Sequence, residues 1–265
     1  MSENVSLFES SSQNGPSVFL IRHAQSKFNV AEHAALARGA DVYQYKFNPE
    51  LIDAGISDLG LEQTKAAAEI MKHVNVKVVF SSPLRRCLQT TYNIFKDHPN
   101  KPKVIVVPIL REIFSSACDV SDDIKRIKKE FPDYDFSLID SLDVPEFWLF
   151  HSLQNDTLKN DFLREAEAKF KGDPHIGEEV KHFILNKLAE YYPEQYESSL
   201  DVIQRNAKAR EIFKEKLSEL KEGEKIACVA HYYFLLHFTA TEFGDEGEPI
   251  NGKGFKNCEV YECPL

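Results

Sequence analysis

Cysteine is scarce and unpatterned in this chain of 265 residues. The five thiols are Cys87, Cys118, Cys228, Cys258 and Cys263, an odd number at wide spacings with no CxxC. Neither a disulfide framework nor a zinc site is expected from them. The pattern fits reduced thiols and a cytoplasmic setting. Cys228, inside the apolar run IACVA, reads as core packing rather than as a nucleophile. Long apolar runs are missing as well: stretches such as Val104–Leu110 and Phe234–Leu236 are far too short to cross a bilayer. The opening MSENVSLFESSSQNGPS has neither the basic start nor the apolar core of a secretion signal, and residues 1–16 are read as a polar, mobile tail. Nor is there an excess of positive charge. Lys+Arg 32 against Asp+Glu 42 leaves −10, which repels nucleic-acid backbones and anionic membranes. Neither is an expected partner, and an anionic ligand would need a local cationic pocket. There is no internal repeat. The sequence leaves the oligomeric state open.

What is present is an alternation of short apolar runs with helical patterns. Ser17–Ile21, Val76–Phe80, Val104–Pro108 and Ile226–Ala230 read as buried strands, and Glu259–Glu262 as a closing one. Leu59–His73 and Val202–Leu220 carry apolar residues at helical spacing, with Ser57 placed to cap the first. After Phe80, Ser82 and Pro83 are placed to open another helix. Strands alternating with helices predict an α/β fold, a three-layer sandwich with a mostly parallel central sheet. The rhythm breaks between about 115 and 199, a polar, helix-rich stretch with Phe131, Phe136, Phe147, Trp148 and Phe150 scattered through it. It is predicted to be a helical lid insertion at the C-terminal edge of the sheet, within a single domain spanning 17–265, and its aromatics to be packing. The basic run Lys125–Lys129 reads as a solvated helix face.

Two histidines share one local context: His23 follows SVFLIR and His231 follows IACVA. Parallel strands carry their ends to one edge, where ligands of open α/β sheets bind, so residues far apart in sequence are expected to meet there. Arg22 precedes His23, and Arg85 and Arg86 follow the strand Val76–Phe80 by one short turn. Guanidinium forks match phosphate oxygens. Two arginines, two histidines and a helix N-terminus at one point suit a phosphoryl dianion. His33, His73, His98, His151, His175, His182 and His237 lack ligand spacing, and no metal site is expected.

The stretch Leu20–Asn29 (LIRHAQSKFN) resembles the signature of the histidine phosphatase superfamily, the phosphoglycerate mutase-like family. Ser57–Thr64, Ser81–Thr91 (SSPLRRCLQTT, in which Arg86 rather than Arg85 matches), Leu110–Ile113 (LREI), Glu197–Arg205 and Val229–Leu235 (VAHYYFL) resemble further segments of that family in the same order. The resemblance implies His23 as nucleophile through a phosphohistidine, and Arg22, Arg86 and His231 as groups holding the transferring oxygens. It implies Glu112 as proton donor and acceptor, and no metal or other cofactor. Asn29 and Gln25 are expected to shape the phosphate pocket. The chain departs from the pattern at Ala24, where glycine is usual, and at Tyr232 and Tyr233, where small residues are frequent. Tyr232 is therefore expected at the substrate. The implied function is a phosphatase acting on a small phosphorylated metabolite. A phosphoglycerate mutase-type phosphotransferase and a non-catalytic phosphate- or phosphoprotein-binding module stand as alternatives.

Overall fold

The computed structural model describes residues 8–10, 16–171, 173, 176–194 and 196–265. Six strands form one sheet: β1 Phe8–Ser10, β2 Ser17–Arg22, β3 Val76–Ser81, β4 Lys103–Val106, β5 Lys225–Ala230 and β6 Val260–Pro264. Their order is β1-β6-β2-β5-β3-β4. β2, β5, β3 and β4 are parallel; β6 runs antiparallel to β2, and β1 parallel to β6. Helices cover both faces of this sheet, as the continuous apolar runs of its inner strands require. Val18, Leu20, Ile226 and Cys228 point into one layer with Phe213, Phe234 and Phe238, whereas Phe19, Ile21, Ala227 and Val229 point into the other with Ala67, Met71 and Ile94. The predicted α/β sandwich is thus the observed fold. One difference concerns β1. Phe8–Ser10 lie within the stretch read as a tail, yet they pair with Val260–Glu262, because β6 would otherwise leave an open edge. The remainder of that stretch up to residue 15 lies outside the described residues.

Local signals set the helix boundaries. Ser57 caps the helix Asp58–Met71 by accepting from the Gly60 N–H, and Ser198 with Asp201 forms a capping box at the start of Ser199–Ser218. The expected cap at Ser82 is not made. The helix runs from Arg85 to Phe95, and its Arg85 N–H goes to Asp53 Oδ1 at 2.8 Å.

The segment from 115 to 199 is helical among its described residues, apart from a single bridge at Asp135 that extends β4. Phe131, Phe136, Phe147, Trp148 and Phe150 are all buried in one cluster shared with Leu84, Leu88 and Val106. The inserted helices therefore have no separate core: they complete the layer over the helix Arg85–Phe95. Lys125 and Lys128 pair with Glu146 and Asp140 on the outer face of Ile124–Glu130, as a solvated helix face would. All five cysteines are free and buried. No described helix is long and apolar enough to cross a membrane.

Candidate active site

Four parallel strands deliver their C-terminal ends to one edge, and the turns that follow them build a cavity of about 330 Å³. β2 brings Arg22 and His23, the helix after β3 brings Arg86, and the turn after β4 brings Glu112. β5 sits between β2 and β3 in the sheet, so the residue that follows it, His231, lands beside His23 with ring centroids 5.2 Å apart. Backbone bonds lock these turns together. The His23 N–H donates to Ala230 O at 2.9 Å, and the Ser82 N–H to Val229 O at 3.1 Å. The Ala24 N–H donates to Thr90 Oγ1 at 3.0 Å on the helix that carries Arg86. Ala24 is fully buried with φ below zero, so the usual glycine is not required there.

His23 is 4% exposed, and its Nδ1 lies 2.8 Å from Ala24 O. A carbonyl only accepts, so Nδ1 carries the proton and Nε2 keeps its lone pair. Arg86 Nε donates toward that lone pair at 3.3 Å. Burial first, then Arg86 and Arg22, hold the His23 pKa well below the usual histidine value. The ring is accordingly neutral at pH 7, the form a nucleophile needs.

Arg86 is buried and shared among three partners: His23, the Cys118 carbonyl, and Asp119 Oδ1 at 2.9 Å. Asp119 is held in turn by the N–H groups and hydroxyls of Ser115 and Ser116. Arg22 donates to Phe255 O at 2.8 Å, and its guanidinium stands 5.0 Å over the Tyr232 ring. Its Nε is buried without a partner among the described residues. Tyr233 is 50% exposed, and neither phenol closes the cavity they both line.

Glu112 sits against the N-terminus of the helix Tyr232–Thr239. Its Oε2 accepts from the Tyr233 N–H at 3.1 Å, and its Oε1 from Phe234 and Ile113 at 3.3 and 2.9 Å. Burial, with Asp119 second, raises its pKa above the ordinary carboxylate value, while the N–H groups of Ile113 and Tyr233 pull the other way. A carboxyl raised in this way exchanges protons more readily near neutral pH. The backbone around it is clamped from below. Arg111 donates to the Glu112 carbonyl at 2.9 Å and to both oxygens of Glu197 at 2.7 and 2.9 Å. Arg205 donates to Glu197 Oε1 at 2.7 Å and to the carbonyls of Ile109 and Arg111.

Arg22, His23, Asn29, Arg86, Glu112 and Tyr232 all line the cavity. Three residues are placed less directly. Gln25 does not line it: its side chain accepts from Ser57 Oγ at 2.7 Å, which ties the loop after His23 to the next helix. Asn29 lines the cavity, but its Oδ1 is spent on the Ser26 N–H and hydroxyl in a capping box. His231 stands behind His23, wholly buried, with its Nε2 2.7 Å from the Ser82 hydroxyl. The same hydroxyl oxygen accepts from the Leu84 N–H at 3.4 Å, just ahead of the helix. Burial, then Arg86, holds the His231 pKa well below the usual histidine value. From the sequence, Asp119 and Glu197 had no role at the site, and Ser82 only that of a helix start. For Asp119, a Ser-Ser-x-x-Asp turn after LREI was the only local signal. Arg85 pairs with Asp53, Asp122 and Glu130.

Residues 18–137 match the family model of the histidine phosphatase superfamily (branch 1). That match covers a little under half of the chain and includes Arg22, His23, Arg86 and Glu112. The match ends before His231 and Arg205; the folded chain returns both to the matched half. No curated protein matches the sequence significantly. Among solved structures, the chain is similar to a mycobacterial glucosyl-3-phosphoglycerate phosphatase (17% identity, 84% of this chain and 77% of that one, TM-score 0.41). It is also similar to the ecdysone phosphate phosphatase of Bombix mori (15%, 92% and 87%, 0.45) and to a phosphoserine phosphatase of Entamoeba histolytica (16%, 89% and 94%, 0.38). Among the described residues, no group of three His, Cys, Asp or Glu side chains is placed to hold a metal ion.

Proposed function

We propose that this chain hydrolyses a small phosphomonoester through a phosphohistidine at His23. The observation that carries the reading is the state of the His23 ring: Nδ1 is committed to Ala24 O, and a neutral Nε2 faces the Arg86 guanidinium in an open cavity. Nε2 attacks phosphorus, and the bond from phosphorus to the ester oxygen breaks. Glu112, protonated at the start, gives its proton to the departing oxygen. The resulting carboxylate then takes a proton from water, whose oxygen attacks phosphorus while the P–Nε2 bond breaks, and the resting state returns.

Arg22 and Arg86 supply fixed positive charge to the transferring oxygens. His231 joins them once Ser82 releases its Nε2. On this reading the reaction runs without a metal ion. Alkyl alcohols of a few carbons suit the cavity, whose volume lies at the small end for ligand sites. The test is to quench the enzyme in alkaline denaturant after mixing with a ³²P-labelled phosphomonoester and map the label. Alkali-stable, acid-labile phosphate on His23, lost in His23→Ala together with turnover, is the expected result. Undiminished hydrolysis by His23→Ala would refute the assignment.

A further inference from the structure

The cavity is more acidic than a phosphate site needs. Glu32, Glu112 and Asp119 line it together with Arg22 and Arg86. Asp119 already engages Arg86, and both are buried. A phosphoryl dianion therefore meets a hollow whose cationic capacity is partly taken up, and a second anionic group on the substrate would find no cation of its own among the cavity-lining residues.

Glu32 is the carboxylate without a task. It projects from the helix Lys27–Ala37, is half-buried, and has neither a hydrogen bond nor an ion pair among the described residues. Burial raises its pKa, with His33 as the largest opposing influence, then Lys46 and Arg22, while Asp119 adds to the rise. A half-desolvated carboxylate with no partner is a cost in the empty protein that a bound cation removes. The walls beside it include the rings of Phe28 and Tyr233, surfaces compatible with an alkylammonium.

We infer that the alcohol released by this enzyme carries an ammonium group, bound by Glu32, so that the preferred substrates are aminoalkyl phosphates rather than phosphates bearing a carboxylate. The inference rests on the phosphatase reading above and adds the substrate class to it. The phosphoryl group occupies the Arg22–His23–Arg86 end, and the ammonium the Glu32 side.

The test compares kcat/KM for three phosphomonoesters of similar size: O-phosphoethanolamine (ammonium), glycerol 1-phosphate (neutral) and 3-phosphoglycerate (carboxylate). The wild type is expected to prefer the first over the third by at least about tenfold, the worth of one charge-assisted contact. Glu32→Gln should flatten that ratio, and Glu32→Lys should invert it. Because each ratio is taken within one protein, losses from altered folding cancel. Hydrolysis of all three with a flat or carboxylate-favouring wild-type ratio overturns the substrate class and leaves the phosphatase reading standing. So does a preference for the ammonium substrate that Glu32→Gln does not change. Hydrolysis of none, with no phosphate on His23, overturns both.

Discussion

Two arginine–carboxylate clusters lie side by side beneath the sheet edge, built on different terms. In the first, Glu197 receives Arg111, Arg205 and the Phe114 N–H, so that both carboxylate oxygens are satisfied and two guanidinium groups are fixed by one acid. In the second, Arg86 is divided among Asp119, a carbonyl and the lone pair of His23, and the group opens onto the cavity. The first is saturated and closed; the second is partly committed and open. Arg111 ties the first cluster to the backbone of Glu112, since its Nη1 donates both to Glu197 Oε2 and to the Glu112 carbonyl. The difference teaches that burial of charge serves two ends here: a closed cluster fixes backbone, and an open one keeps a binding capacity available.

The comparison predicts its own failure modes. Glu197→Ala leaves two buried guanidinium groups without a counter-charge and should cost about 3–5 kcal/mol of stability, read by chemical denaturation. The acid limb reports the same cluster. Burial opposes ionisation of Glu197, but Arg111 and Arg205 prevail and hold its pKa down to about 2, against 4.5 for the free group. The contribution is fully present above the unfolded value and is lost as pH falls from 4.5 towards 2. A stability profile flat through that window would show that the clamp is not electrostatic.

Glu112→Gln should lower kcat by about 10²–10³ with little change in melting temperature, since the amide oxygen can keep a backbone bond but the group cannot donate a proton to the leaving oxygen. In the wild type, kcat/KM is expected to rise with pH at a point well below the free-histidine value of 6.5, because His23 is held neutral. It should fall at a point above the free-glutamate value of 4.5, because Glu112 must be protonated. Loss of the falling limb in Glu112→Gln would assign it. Gly60→Ala probes the support beneath His23: a Cβ there would stand 2.3 Å from the Gln25 carbonyl, and rigid backbone must shift. We expect about 1–3 kcal/mol of destabilisation and a rise in KM. The smallest expected effect is that of a chelator: EDTA should leave turnover unchanged, and a loss restored by a divalent cation would refute the metal-free reading.

Much of this arrangement was legible before folding. The strands Ser17–Ile21 and Ile226–Ala230 announced themselves as apolar runs, and the histidines after them met because parallel neighbours end at one edge. Arg86 and Glu112 came from ordered resemblance, not from periodicity. Partners separated by long stretches of chain left no local trace. Nothing around Glu197 indicated that it would lie between Arg111 and Arg205, and nothing near Ser82 indicated that His231, far along the chain, would stand at its hydroxyl. Gln25 is a similar case. Being next to a nucleophile in sequence says little about direction, and Ser57 drew the side chain the other way.

The position of β5 has one last consequence. It is the penultimate strand to be synthesised, yet it occupies the middle of the sheet, with β2 on one side and β3 on the other. A ribosome-bound chain that has emerged only as far as the inserted helices has a slot where that strand belongs, and its turns after β2 and β3 lack the Ala230 and Val229 carbonyls that hold His23 and Ser82. On the proposed mechanism, a chain cut before β5 lacks both His231 and the strand that seats His23, and is expected to be inert.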